Sequence, residues 1–576
     1  MARKQKQGSG RESRKNEAAA DPAWATALER RGFWVALGGL ALLLILFFNP
    51  VFFGGKTFQP PDNVASMAHR PYVAEAFASE GSLLSRYPLW TPYMFSGMPS
   101  FGSLIAAPYT NPMSLLLTPI PGVFKVVSYY LLLGLFTWLF LRRQNMGTLT
   151  ALFGATAYVF SAHVITMIMF GHNSKIATLV FLPLVLLATD SLWVKPSLRW
   201  VSVLALAVGT MLVTSHLQIA YYTLLAAGLY LVVTSVSSLR GGLGAAAVVR
   251  RWLLWAGGLV VGLMASAVLV LPVREYADVS IRGGTGGGLP YEYATNWSFH
   301  PLELATFFVP SFMGFGNETY WGWMPFTDFP HYMGILVLTL AVATVILWTK
   351  ERLHLYFTAL AFVSLILAFG KHLPLLYNLM FEFFPHFNKF RLPSMILALF
   401  QFSVAMLPAL GLARILAARG AERERARKVV LAVGAATGAV VVVLGVALAS
   451  GGLDNTLVSR LGERAPVYGA APEQMARFAP EVTEMAGRDL VFVALFLGLG
   501  LALLWAYFRG KVAPWALVAG LLVLTVVDLW RVDFHPQGKT LHDRSSDMSM
   551  FAETPGVQFL KQDPEPFRIL PLTGQG

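Results

Sequence analysis

Phe33 to Phe53, "FWVALGGLALLLILFFNPVFF", runs 21 residues without one charge. A hydrocarbon core of roughly 30 Å takes about 20 helical residues to cross, so the stretch reads as a span. Before it stands "MARKQKQGSGRESRKNEAAADPAWATALERR", residues 1–31, polar and basic like a disordered tail. A secretory signal has a shorter apolar region and a small-residue cleavage site. This run is long and closes on "NPVFFGG", as an uncleaved anchor does.

Further apolar runs follow near 124–141, 148–170, 176–194, 200–215, 217–237, 252–272, 332–349, 354–369, 393–413, 429–450, 489–508 and 512–530. The pattern predicts an all-α polytopic membrane protein of about 13 transmembrane helices, filling 32–530. Composition agrees: 56% of the 576 residues are hydrophobic and 13% charged, against about 25% charged in soluble domains. The absence of cysteine removes disulfides, thiolate nucleophiles and Cys-ligated metals.

The net charge of +13 raises nucleic acid as a partner, and its distribution removes it. With the N-terminus inside, 25 of the 44 Lys and Arg fall in the tail and in short loops at 142–147, 195–199, 238–251, 350–353, 414–428 and 509–511. Eighteen fall in the much longer outside segments, and Lys125 lies in a run. Cytoplasmic loops are rich in Lys and Arg, so the predicted topology is N-in and C-out. "AERERARK" (421–428) is then a solvated cytoplasmic charge run. All long connections fall outside: 54–122, 273–331, 370–392, 451–488 and the tail from 531. Residues 531–576 read as the opening of an extracytoplasmic C-terminal domain that the chain cuts short. Function is expected on the long-loop face. "GGTGGG" (283–288) reads as a flexible lid or linker, not a phosphate loop.

The first outside loop carries Asp62, His69, Arg70 and Glu75. Asp62 either caps a short interfacial helix or acts as a general base or metal ligand at the membrane surface. The stretch 88–102 holds three prolines and two glycines with Trp90, Tyr93, Phe95 and Phe101. Those aromatics form either an interfacial belt or a shaped wall for a lipid tail or sugar. His172, Asn173 and Lys175 in "FGHNSKIA", His216 and Gln218 in "TSHLQIAYY", and Arg274 in "LPVREYADVS" mark polar span ends. "NETYWGWMPFTDFPHYMG" (317–334) brings Tyr320, Trp321 and Asp328, and "FPHFNKFRLPSM" (384–395) brings Lys389 and Arg391. Arg at a membrane boundary either snorkels to headgroups or grips a lipid phosphate at two points. A divalent ion, Mg or Mn, on Asp62 or His172 stays open, since no H-x-E or HExxH spacing occurs.

The order "PPDNVASM", "PLWTPYMFSGMPS", "FGHNSKI", "SHLQIAYY", "YWGWMPFTDFPHYMG" and "FNKFRLPSM" resembles the bacterial YfhO-like membrane protein family. That family is similar to the GT-C glycosyltransferase superfamily. The resemblance implies a GT-C-like fold and an essential carboxylate in the first outside loop, which falls on Asp62. It implies a polyprenyl-phosphate-linked sugar donor and an acceptor among cell-envelope polymers or lipids, at the bacterial cytoplasmic (inner) membrane. A common GT-C pattern has two adjacent acids there, whereas Asn63 follows Asp62.

From facing and chemistry, Asp62 is expected to deprotonate an acceptor hydroxyl, and Lys389, Arg391, Lys175 and Arg274 to stabilise the departing phosphate. His69, Arg70, Glu75, Trp90, His172, Asn173, His216, Gln218, Tyr320, Trp321 and Asp328 are expected to line the cavity. Two rival classes are a flippase of lipid-linked saccharides and a non-catalytic envelope assembly factor. A flippase calls for ionisable groups near the bilayer middle and inverted repeats, and the sequence displays neither.

Overall fold

The computed structural model describes residues 23–60, 75–76, 78, 80–81, 89–91, 97–100, 111–214, 216–280, 282–283, 288–327, 329–544 and 553–563. Helices hold 76% of the described residues, and the strands described are two or three residues long. Among the described residues, eight helices are long and apolar enough to cross a membrane: Gly122–Arg143, Asn173–Val194, Leu217–Arg240, Ala245–Ala265, Pro393–Ala417, Gly420–Ala449, Pro472–Phe508 and Pro514–Thr540. The bent pair Thr148–Val159 and Ala162–Ile168 makes a ninth if it is one span. Four expected runs form shorter apolar helices, Gly32–Phe47, Leu198–Leu212, Ile335–Trp348 and Arg352–Ala368. The 252–272 run is displaced: its helix is Ala245–Ala265, and the chain breaks at Ser266 before Ala267–Asp278.

Local chemistry sets several ends. Proline opens the helices at Pro472 and Pro514, where a missing N–H costs nothing. Arg142 and Arg143 close the Gly122–Arg143 helix, where the dipole favours cations. The 60° bend after Val159 frees backbone groups that neighbours satisfy. Ala162 N–H donates to the Tyr332 carbonyl at 3.1 Å, and Tyr130 hydroxyl donates to the Ile165 carbonyl at 3.2 Å. Pro393–Ala417 and Asn173–Val194 are buried along almost their whole length, whereas Ala245–Ala265 and Gly420–Ala449 sit at the rim. Small residues allow close approach at the centre: a Cβ on Gly154 would meet Leu141 and Ala409, and one on Gly411 would meet Thr344.

Contacts sort the helix ends onto two faces. On the short-loop face, Glu29 pairs with Arg142 at 2.8 Å, Asp190 with Arg352 at 2.9 Å, and Glu351 with Arg414. On the long-loop face, the strands Lys56–Phe58 and Leu541–Asp543 pair antiparallel, and Gln537 Nε2 donates to the Phe47 carbonyl at 2.9 Å. Phe299 N–H meets the Ala368 carbonyl there at 2.8 Å, and Arg464 Nη1 reaches the Met324 carbonyl at 2.7 Å.

Candidate functional site

The 384–395 loop is fastened carbonyl by carbonyl. Tyr221 hydroxyl donates to the Pro385 carbonyl at 2.7 Å, Leu289 N–H to Asn388 at 2.9 Å, Arg282 Nη1 to Lys389 at 2.7 Å, and Gln218 Nε2 to Arg391 at 2.6 Å. Leu392 N–H in turn meets the Ala294 carbonyl at 3.2 Å. Two non-glycine residues in this loop, His386 and Leu392, have φ of 62°. Left-handed backbone costs L-residues roughly 1–2 kcal/mol each and persists where surrounding structure over-determines it. The ties above supply that constraint, and their result is a fixed placement of Lys389 and Arg391.

The side chains gathered there are mostly basic. Arg391 Nη1 donates to Tyr293 hydroxyl at 2.5 Å, and its guanidinium carbon lies 5.4 Å from that ring's centroid. Burial, and then the nearby Arg391 charge, lower the pKa of Arg282. Neither arginine meets a carboxylate among the described residues. Lys389 Nζ stands 3.8 Å from the exposed Asp278 carboxylate, a pair too solvated to neutralise much. Lys175 borders His172 and His216. Burial, followed by the Lys175 charge, pushes each imidazole down to about 3. Both are therefore neutral near pH 7, and His216 Nδ1 accepts the Ile219 N–H at 3.3 Å. Of these cations, Arg282 and Arg391 meet no acid among the described residues, and a guanidinium has the planar donor fork that suits two oxygens of an anion.

The other expected positions divide. Arg274 is exposed on Ala267–Asp278 and makes no hydrogen bond or ion pair with a described residue, so it stands outside the cluster. Trp321 is buried and donates through Nε1 to the Phe312 carbonyl at 2.8 Å, which makes it a core post. Trp90 is half exposed on a short hairpin with Met98–Pro99, its ring packed over Gly97. Glu75 is exposed, and Asn173 begins the helix after His172. Asp62, His69, Arg70 and Asp328 lie outside the described residues. Among the described residues, no three His, Asp or Glu side chains converge as a metal site.

Sequence reasoning missed Arg282, hidden beside the glycine-rich stretch, and Glu303. Glu303 is 1% exposed. Its carboxylate accepts Tyr320 hydroxyl and Trp323 N–H, each at 3.0 Å. Burial pushes it up to about 7, with those two donors opposing. Arg464 lies 4.5 Å above the Tyr320 ring. Glu303, Tyr320 and His331 line a cavity of about 10 Å³, about the room one water needs. His331 packs 5.4 Å from the His163 ring, which in turn borders His172 and Lys175. The acid-lined cavity and the basic cluster are therefore neighbours. The only signal in "FHPLELATF" was one acid in an apolar loop.

Fold and site define a mostly helical, multi-pass membrane protein with its polar cluster on the long-loop face. No protein-family model, curated protein or solved structure matches the chain.

Proposed function

We propose that the chain spans the bacterial cytoplasmic membrane thirteen times, N-terminus inside, and transfers a sugar on the outer face. The donor is a polyprenyl-phosphate-linked sugar and the acceptor a hydroxyl of a cell-envelope polymer or lipid. The observation that carries this is the pair Arg282 and Arg391, half-buried together with no carboxylate partner among the described residues and flanked by Lys175 and Lys389. Counting the eight long helices, the bent pair and the four shorter apolar helices as one crossing each gives thirteen in this reading, and the Lys and Arg of the short loops would orient them.

In this mechanism Asp62 takes the proton of the acceptor hydroxyl, because a neutral hydroxyl is a poor nucleophile. The acceptor oxygen bonds to the anomeric carbon as that carbon's bond to the phosphate oxygen breaks. Polyprenyl phosphate departs, and Arg391, Arg282, Lys389 and Lys175 stabilise the charge it gains. The sugar–phosphate bond supplies the driving force, so no nucleotide is needed. The motifs that resemble the YfhO-like family supply the role of Asp62, and the basic cluster supports the donor class.

A lipid-linked-saccharide flippase is the second reading, favoured by buried acids within the helix Pro514–Thr540. Purified protein in nanodiscs, given radiolabelled polyprenyl-phosphate sugar and acceptor, separates the two. Transfer is expected with wild type and its loss with Asp62→Asn. Undiminished transfer by Asp62→Asn would remove that residue from the mechanism. Movement of the donor across the bilayer without bond formation would favour the flippase.

A further inference from the structure

A second polar centre lies inside the bundle, on the helix Pro514–Thr540. Asp528 is 1% exposed and accepts Tyr332 hydroxyl at 2.7 Å and Ile335 N–H at 3.1 Å. Arg531 bonds Asp489 through Nη1 and stands 4.0 Å from Asp528 Oδ1. Asp489 also accepts Ser311 N–H at 3.0 Å. The one arginine is thus engaged by two acids. Asp533 is a third, 0% exposed, and neither of its carboxylate oxygens meets a donor. The titratable groups around it are Tyr130, from the helix Gly122–Arg143, and Asp528 and Arg531 on its own helix. Asp489 and Tyr332 join through Arg531 and Asp528. Tyr130 hydroxyl is occupied by Ile165 and Ile168 and offers Asp533 nothing further.

An ionised carboxylate without donors is among the costliest groups to bury in a membrane bundle. Were all three acids ionised, one Arg would face three negative charges. A divalent metal would need several ligands at one point, and no three acids or imidazoles converge among the described residues. A proton needs neither space nor extra ligands. Thr525 Oγ1, Trp530 Nε1 and Arg531 Nε on the same helix are likewise without a hydrogen-bond partner among the described residues.

We propose that Asp533 is a proton-binding site within the bundle, held as the neutral acid at neutral pH. Its charge state reaches the long-loop face through Asp528, which holds Tyr332 and the start of the helix Ile335–Trp348, directly after His331. The proposal stands apart from sugar transfer and survives if that chemistry fails.

Infrared spectroscopy of the full chain in nanodiscs, with ¹³C-labelled aspartate, tests it. Wild type at pH 7 is expected to show the carbonyl band of a protonated buried carboxyl. Asp533→Asn, which mimics the neutral acid, is expected to lose that band and to melt within a few degrees of wild type. Absence of the band in wild type, or its persistence in Asp533→Asn, would overturn the proposal. Removal of the band on replacing KCl by NaCl at fixed pH would overturn it in favour of a metal cation. Should Asp533→Asn fail to fold, Asp528→Asn decides. A retained band supports Asp533 as the carrier, and a lost band assigns the proton to Asp528 and refutes it.

Discussion

At the short-loop end, Asp190 is buried and compensated; at the long-loop end, Arg282 and Arg391 are half-buried and meet no acid among the described residues. Asp190 accepts Arg352 Nη2 at 2.9 Å, Gln144 Nε2 at 3.1 Å and Tyr230 hydroxyl at 2.5 Å. Those partners come from the helices Arg352–Ala368 and Leu217–Arg240 and from the residue that ends Gly122–Arg143, so the acid is a rivet for the bundle. Arg282 fastens the loop through the Lys389 carbonyl and Arg391 bonds the Tyr293 hydroxyl, yet their charges find no acid among the described residues. A compensated charge serves the fold, and under the proposed function the uncompensated pair serves the donor phosphate. Mutation should therefore strike stability at one end and activity at the other.

The sharpest test of that division is Arg391→Gln. Loss of a positioned charge at a developing anion costs about 2.7–4 kcal/mol, or roughly 10²–10³ in kcat. Sugar transfer should fall by that factor, while the melting temperature stays within a few degrees. A variant that loses stability in proportion would make Arg391 a second rivet and break the comparison. Asp190→Ala is the counterpart. It leaves Arg352 partly buried without its acid, at a cost of about 3 kcal/mol. Thermal unfolding should show that loss, and transfer per folded molecule should be unchanged.

Glu303 belongs to neither class, because its carboxylate is satisfied by neutral donors alone. Burial raises it from 4.5 to about 7, a gap of about 3 kcal/mol at 1.36 per tenfold. The folded state then binds the proton more tightly than the unfolded state. Stability is full below about pH 4.5, falls as pH rises, and levels off above about pH 7. Glu303→Gln should flatten the unfolding profile across that window. An unchanged slope would show that other groups set it.

The bundle was legible because apolar runs near 20 residues have one physical meaning in a long chain. Its irregularities were not. The 60° bend falls at Phe160–Ser161, with no proline or glycine to announce it, because Gln401 and Tyr130 on other helices and Tyr332 in a loop stabilise it. Lys389, Arg391 and Gln218 stood out as polar residues at span ends, and the structure joins them through the 384–395 loop. Arg282 and Glu303 did not stand out, since burial and partners made by folding give them their character. Asp528 was read inside a run ending at 530 and Asp533 in the outside tail from 531, whereas the helix continues to Thr540 and keeps both inside.

The smallest effects separate the ties of the basic loop from its strain. Gln218 ties down the Arg391 carbonyl. Gln218→Ala should cost about 1 kcal/mol for a buried hydrogen bond, and transfer should fall about tenfold through KM as Arg391 loosens. His386 is exposed, at φ 62°, with no side-chain hydrogen bond to the turn it opens. His386→Gly removes about 1–2 kcal/mol of left-handed strain and gives back about 0.5–1 kcal/mol in chain entropy. The net expectation is a gain of about 0.5–1 kcal/mol in unfolding experiments, with transfer within twofold of wild type. That outcome places control of Arg391 in the carbonyl ties. A tenfold loss of transfer in the more stable His386→Gly would instead place it in the strained turn, making the strain part of the site.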